Sequence, residues 1–271
     1  MERRYYIHGD FRNHGYKGKL LPRTLDKIGK VDLLITEGTT LSREQTKAQT
    51  EVELVNEIAT KTKSYNQVLV LMSTTNIDRV TTLTRVANRT KKAFIHDILL
   101  DNVLQLCTSK IPNGINNKNI GIFMPSYLYH MRNKEEYKPY IEPYKNKLRY
   151  TGRLLHGKFI MNIRISMLRD IEKLRFKSGV LDKCVLIYSL WEGYKEDEEY
   201  KKFLSKIAEM GIDIISLHTS GHAHYTAIRQ VIDITKPEVV IPIHTENKQG
   251  IKKYAGAKAV ILEDMEIYQL K

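Results

Sequence analysis

The chain has 271 residues, 42% hydrophobic and 28% charged, enough apolar content to bury the core of one large or two smaller domains and too much for a disordered segment. Its two cysteines, Cys107 and Cys184, exclude a disulfide framework, a Cys-rich zinc module and an iron–sulfur site held by four cysteines of one chain. The 44 Lys and Arg against 31 Asp and Glu, a net +13, make a field that attracts polyanions and bring nucleic acid forward as the leading partner class.

No stretch reaches the roughly 18–20 apolar residues of a membrane span, and the opening Met-Glu-Arg-Arg-Tyr-Tyr lacks the apolar run of a secretory signal. A reducing cytoplasm and no membrane insertion are the expectation. In chain order, short apolar runs predict strands over Tyr5–Ile7, Asp32–Thr36, Gln67–Met72, Ala93–Ile95, Ile120–Met124 and Phe159–Ile163, then Cys184–Ser189, Asp213–Leu217, Val239–Ile243, Ala259–Leu262 and Glu266–Gln269. Amphipathic spacing predicts helices over Ser42–Lys63, Ile77–Thr90, Ser166–Arg175, Glu196–Met210 and His224–Ile234, with Ser42 and Gln45 as a capping box and Pro237 closing the last helix. Pro112–Asn119 and Asn133–Gly157 read as loops. The alternation gives an α/β fold class with no internal repeat.

From Lys134 to Arg153, Tyr137, Tyr140, Tyr144 and Tyr150 interleave with Lys138, Lys145, Lys147 and Arg149. Such mixing suits base stacking and phosphate neutralisation, and it equally suits a solvated connection with tyrosines on the domain surface.

The chemistry gathers at strand ends near both termini. Asp10 follows Tyr5-Tyr6-Ile7, and Glu37 follows Leu33-Leu34-Ile35-Thr36, with Gly38 letting the chain turn away. A carboxylate is costly to bury without a cation or donor, so the pair resembles a metal or acid–base rim; taken singly, each acid is as readily a helix N-cap. His218-Thr219-Ser220-Gly221-His222-Ala223-His224 follows one strand, and His244 ends the next. The Ser220-Gly221 turn presents backbone N–H groups suited to a phosphate. His224 reads as a helix-surface residue, and His8, His96, His130 and His156 as ordinary core or loop histidines.

Gly9-Asp10-Phe11-Arg12, the strand ending in Glu37, Ser220-Gly221-His222-Ala223 and Pro242-Ile243-His244 together resemble the metallo-β-lactamase fold nucleases with a β-CASP insertion, the family of ribonuclease J and the cleavage and polyadenylation specificity endonuclease. The resemblance implies a partial αββα metallo-β-lactamase-like domain from residues 1–44 and 218–271, with a β-CASP-like α/β domain inserted over 45–217. It implies zinc, two ions per complete site, with Asp10 bridging and His244 as a ligand. Glu37 and His222 would form a coupled pair near the scissile phosphate, with His222 protonating the leaving oxygen and Glu37 orienting it. It implies RNA as substrate and phosphodiester cleavage as the reaction.

The family's main metal signature, His-x-His-x-Asp-His, precedes the Gly-Asp motif, and nothing in this chain supplies it. The expectation is a truncated chain with an incomplete metal site, alone retaining no dinuclear zinc. Its apolar strands would then be covered by self-association or by a missing N-terminal half. A non-catalytic RNA-binding or scaffolding module derived from such a nuclease is the competing reading.

Overall fold

In the computed structural model, the structure describes residues 2–42, 49–107 and 111–270, with the side chains of 149–151 excepted. Its strands are β1 (Tyr5–Ile7), β2 (Leu33–Glu37), β3 (Gln67–Leu71), β4 (Ala93–Asp97), β5 (Ile120–Phe123), β6 (Phe159–Ile163), β7 (Cys184–Tyr188), β8 (Asp213–Ser216) and β9 (Val239–Ile243). Its α-helices are α1 (Leu21–Ile28), α2 (Glu51–Lys61), α3 (Ile77–Thr90), α4 (Ile98–Gln105), α5 (Ser126–Met131), α6 (Lys138–Ile141), α7 (Lys145–Leu154), α8 (Leu168–Glu172), α9 (Glu198–Glu209), α10 (Tyr225–Thr235) and α11 (Lys252–Ala255). The chain divides into two compact units, Met1–Thr50 with Thr219–Lys271, and Glu51–His218.

The Glu51–His218 unit is built on a six-stranded parallel sheet of order β5-β4-β6-β3-β7-β8. A parallel sheet has helices over both faces, so its inner strands are apolar on both sides. All five residues of β3 are buried. Val68 and Val70 pack with Leu54, Ile58, Val80 and Leu83 of α2 and α3, while Leu69 and Leu71 pack with Met161, Ile171, Phe203 and Ile207. Helix α3 forms where the sequence places it. The Asn76 side chain accepts from the Arg79 N–H at 3.0 Å, Val80, Leu83, Val86 and Ala87 form the buried stripe, and Lys91 ends the helix in the left-handed region.

The unit of Met1–Thr50 and Thr219–Lys271 has a three-stranded parallel sheet of order β1-β2-β9. On one face Leu34 and Val240 pack with Leu25 of α1 and with Ala227, Ile228 and Val231 of α10. Tyr5 and Ile7 on the edge strand β1, and Ile243 at the end of β9, are exposed.

Four expectations are corrected. The stretch 133–157 is not a loop: it contains α6 and α7, and Ile141, Tyr144 and Leu148 pack at helical spacing with Ile98, Ile120 and Ile122. Pro139 and Pro143 sit in the first turns of their short helices, where the missing N–H costs nothing, so they start these helices rather than break them. Tyr144 is accordingly buried, donating to Asp101 Oδ2 at 2.8 Å. The strands expected at Ala259–Leu262 and Glu266–Gln269 do not form. Only an isolated bridge joins Ala259 to Val240, and beyond it Met265 and Ile267 stand exposed, with no neighbouring strand among the described residues to pair with. Helix α2 begins at Glu51 rather than Ser42, which lies in a 3₁₀ turn over Thr39–Ser42; Gln45 of the expected capping box lies outside the described residues. The helix expected over Ser166–Arg175 is a 3₁₀ turn, the short α8 and a π turn over Lys173–Lys177.

Candidate active site

The site lies at the carboxyl ends of the β1-β2-β9 sheet, where parallel strands deliver their following loops to one edge. Strand β2 ends in Glu37, whose side chain is fully buried. Its Oε1 accepts from the Phe11 N–H at 2.8 Å and the Ala223 N–H at 3.0 Å, and its Oε2 lies 3.0 Å from His222 Nδ1. A carboxylate is held in a dry place when donors surround it, and here two amides and an imidazole do so. Because Oε2 can only accept, the proton of the His222 ring sits on Nδ1, and Nε2 keeps its lone pair.

Asp10 follows β1 in the loop after Gly9, and His244 follows β9. His244 Nδ1 lies 2.7 Å from Asp10 Oδ1, and His222 Nδ1 lies 3.4 Å from the same oxygen. The two imidazoles meet edge to face with centroids 5.3 Å apart. His244 has φ of 52°, a left-handed conformation that costs a non-glycine residue about 1 kcal/mol or more and recurs at functional sites. Exposure grades outward, from the buried Glu37 through His222 at 27% to Asp10 at 51% and His244 at 59%. The charge-bearing partner is dry and the ligand-type groups face solvent.

The loop that carries His222 is pinned at several points. His14, a buried residue, holds its Nε2 2.7 Å from the Ser220 carbonyl, and Arg12 Nη1 approaches the same oxygen at 3.5 Å. Ser220 Oγ accepts from the His222 N–H at 3.1 Å, and Thr40 Oγ1 donates to the Ala223 carbonyl at 2.7 Å. Between these anchors Gly221 faces open space: a Cβ built on it meets nothing within 4 Å. Helix α10 starts only at Tyr225, with His224 as its N-cap residue, so the Ser220 and Gly221 amides precede the helix rather than form its first turn.

The structure thus brings Asp10, Glu37, His222 and His244 together and places Ser220 and Gly221 beside them. His218 belongs to the Glu51–His218 unit, where its Nδ1 lies 3.2 Å from the Ser189 carbonyl. His96 is a core residue, its Nδ1 2.7 Å from Asp101 Oδ1. His8 is half-buried between Tyr6 and Phe11, and burial lowers its pKa against opposing pulls from the Gly9 carbonyl and the Glu37 charge. His14, Thr39 and Thr40 are missed by the sequence reading. Their partners lie 183 to 206 positions away, and only the sheet order brings them near.

Asp10, His222 and His244 offer ligand atoms that all lie within 4.8 Å of one another. One carboxylate and two imidazoles suit zinc, whose ligand atoms sit about 3.3 Å apart when bonded at about 2.0–2.1 Å, and three protein ligands are the complement of a catalytic zinc with an open position. The donor set fits one such ion. A second ion needs further donors than this group of three offers.

Residues 207–261, which hold Ser220, Gly221, His222 and His244, match the sequence profile of the Zn-dependent metallo-hydrolase RNA specificity domain. The chain is an α/β protein with parallel sheets. Its fold is similar to that of a protein of unknown function from Enterococcus faecalis V583, at a TM-score of 0.65 and 16% identity, over 97% of this chain and 57% of that one. The chain therefore spans little more than half the length of that protein, and the likeness is one of fold. A β-mannanase from Thermomonospora fusca aligns over 88% of this chain and 77% of its own at 11% identity and a TM-score of 0.22, below any likeness of fold. No helix among the described residues is long and apolar enough to cross a membrane.

Proposed function

We propose that this chain carries the acid–base half and part of the metal half of a zinc-dependent hydrolase that cleaves RNA phosphodiesters, of the β-CASP ribonuclease and mRNA 3′-end processing type. The observation that carries this reading is the Glu37–His222 pair: a fully buried carboxylate lies 3.0 Å from Nδ1 of an imidazole that is itself partly exposed. With Nδ1 held by Glu37, the ring can take up a second proton at Nε2, and it is this proton that the imidazolium, stabilised by the Glu37 carboxylate, would hand to a leaving oxygen. Asp10 and His244 would hold zinc, which when bound would supply Lewis-acid stabilisation of negative charge on phosphoryl oxygens, while His222, the third donor of the group, is kept for the proton. The open Gly221 lets a phosphate approach the backbone of the Ser220-Gly221 turn.

In this reading residues 1–44 and 218–271 are the metallo-β-lactamase-like part and 45–217 the β-CASP-like insert, supported by the division into Met1–Thr50 with Thr219–Lys271 and Glu51–His218. RNA as substrate rests on the net charge of +13 and on the profile matched over 207–261, and a cytoplasmic setting on the two unpaired cysteines, Cys107 and Cys184. The exposed Tyr5, Ile7 and Ile243 support covering of the sheet by a second polypeptide, either another copy or a complementary chain. The three-donor metal group also supports the second reading, an RNA-binding module that does not cleave.

The deciding experiment incubates the purified chain with zinc, removes the excess, and measures metal content together with cleavage and retention of a labelled single-stranded RNA. Zinc retained with cleavage that Asp10→Asn and His222→Ala both abolish supports the hydrolase. RNA retained without cleavage at any zinc level supports the binding module. Neither zinc nor RNA retained sinks both.

A further inference from the structure

We propose that the Thr39 hydroxyl is a positioning group that locks the two site histidines to each other, joining the backbone of His244 to the ring of His222. The inference rests on the reading of these histidines as a functional pair and adds to it the group that sets their mutual geometry.

Thr39 Oγ1 lies 3.1 Å from the His244 carbonyl and 3.3 Å from His222 Nδ1. A hydroxyl has one proton and two lone pairs. A carbonyl oxygen cannot donate, so the proton goes to His244. Toward His222 the same oxygen can then only accept, which agrees with the proton that Glu37 Oε2 holds on Nδ1 at 3.0 Å. One side chain thus reads both histidines, and both bonds require the same proton arrangement.

Local packing places Thr39 there. The Gly38 N–H continues the sheet by donating to the Ile243 carbonyl at 2.9 Å. A Cβ on Gly38 would stand 2.7 Å from Leu41 Cδ1 and 3.0 Å from Thr245 Cβ, so glycine lets β2 exit tightly against the end of β9. The next residue, Thr39, reaches with its side chain the carbonyl of His244, whose φ is 52°. A left-handed non-glycine residue persists only where its surroundings hold it, and the Thr39 bond is a side-chain anchor on that carbonyl. Without the hydroxyl, His244 relaxes toward the extended backbone, its ring moves away from His222, and Asp10 and His244 no longer present their donors beside it.

The test compares the wild-type chain with Thr39→Val, which keeps the shape and loses the hydroxyl, and Thr39→Ser, which restores the hydroxyl. Two readouts are taken: zinc affinity by competition with a chromophoric chelator, and, in metal-free protein, the NMR contact between the His222 and His244 rings, whose centroids lie 5.3 Å apart. Expected are a loss of about 10–100-fold in zinc affinity for Thr39→Val, loss of its ring–ring contact, and recovery of both in Thr39→Ser, with a cooperative melt in all three. If Thr39→Val fails to fold, Thr39→Ala is read in the same way. If the wild type binds no zinc, the metal reading fails while the ring–ring contact still decides the role of Thr39. Thr39→Val keeping both wild-type affinity and the ring contact overturns the proposal, and so does Thr39→Ser behaving like Thr39→Val.

Discussion

Glu37 divides its two oxygens between backbone and imidazole: Oε1 takes the Phe11 and Ala223 amides at 2.8 and 3.0 Å, and Oε2 faces His222 Nδ1 at 3.0 Å. One buried acid therefore ties the loop after β1, the end of β2 and the loop before α10 to a single point. It sets the tautomer of the imidazole as it does so. The division makes the acid irreplaceable even by its own amide.

Glu37→Gln tests this. The glutamine carbonyl oxygen stays with the two amide donors, because its NH₂ group would meet them donor to donor. The NH₂ then faces His222 Nδ1 and donates to it, driving the ring proton to Nε2. Long-range proton–nitrogen NMR of the neutral ring should report the Nδ1–H tautomer in wild type and the Nε2–H tautomer in the variant. Loss of the charge-assisted bond should lower stability by about 1–3 kcal/mol. An unchanged tautomer in the variant would show that Glu37 does not set it.

Alkaline stability follows from Cys184. The thiol is buried in β7, and burial pushes its pKa up from 9.0 to about 12. An acid whose folded pKa is raised keeps its proton longer in the fold than in the unfolded chain. Its stabilising contribution is whole below pH 9 and is lost as the pH rises toward about 12. Denaturant melts across this range should show stability falling with pH, and Cys184→Ala should flatten the fall. At pH 8 a thiol reagent should leave Cys184 unmodified in the native protein and modify it after denaturation. Native labelling of Cys184 would contradict its placement.

Tyrosines 140 and 144 are four residues apart and opposite in role. Tyr144 is buried and donates to Asp101 Oδ2 at 2.8 Å, while Asp101 Oδ1 meets His96 Nδ1 and the Gly114 N–H, each at 2.7 Å. Tyr140 is exposed. Tyr144→Phe removes one donor from a buried carboxylate and should cost about 1–3 kcal/mol, whereas Tyr140→Ala should stay within about 0.5 kcal/mol. Chemical denaturation measures both. Equal effects would mean that the tyrosine-rich stretch does not pack as described.

That pair also shows where the sequence is legible. Helix α3 and strands β1, β6 and β9 fall where apolar periodicity puts them, because each pairs a clear pattern with clear ends, as Asn76 and Lys91 do for α3. The stretch 133–157 hides its helices because lysines, tyrosines and two prolines outnumber the apolar stripe of Ile141, Tyr144 and Leu148. At the site, Asp10, Glu37, His222 and His244 are visible as chemistry-bearing residues at strand ends. Thr39 and His14 are not, since a threonine after a glycine and a histidine in a loop carry no local signal until β2 lies between β1 and β9.

Two glycines at the site should respond in opposite ways to the same methyl group. At Gly38 a Cβ would stand 2.7 Å from Leu41 Cδ1 and 3.0 Å from Thr245 Cβ. Gly38→Ala must therefore push the end of β9 away, lowering stability by about 1–3 kcal/mol and weakening zinc retention with it. At Gly221 the added methyl meets nothing within 4 Å. Gly221→Ala should leave the melting transition unchanged, and it should weaken binding of a phosphate-containing ligand because the methyl occupies the space through which the phosphate reaches the backbone. Calorimetric titration with single-stranded RNA, beside a thermal melt of each variant, separates the two effects. Unchanged RNA affinity in Gly221→Ala would remove this turn from the binding surface, and wild-type stability in Gly38→Ala would contradict the close approach of β2 and β9.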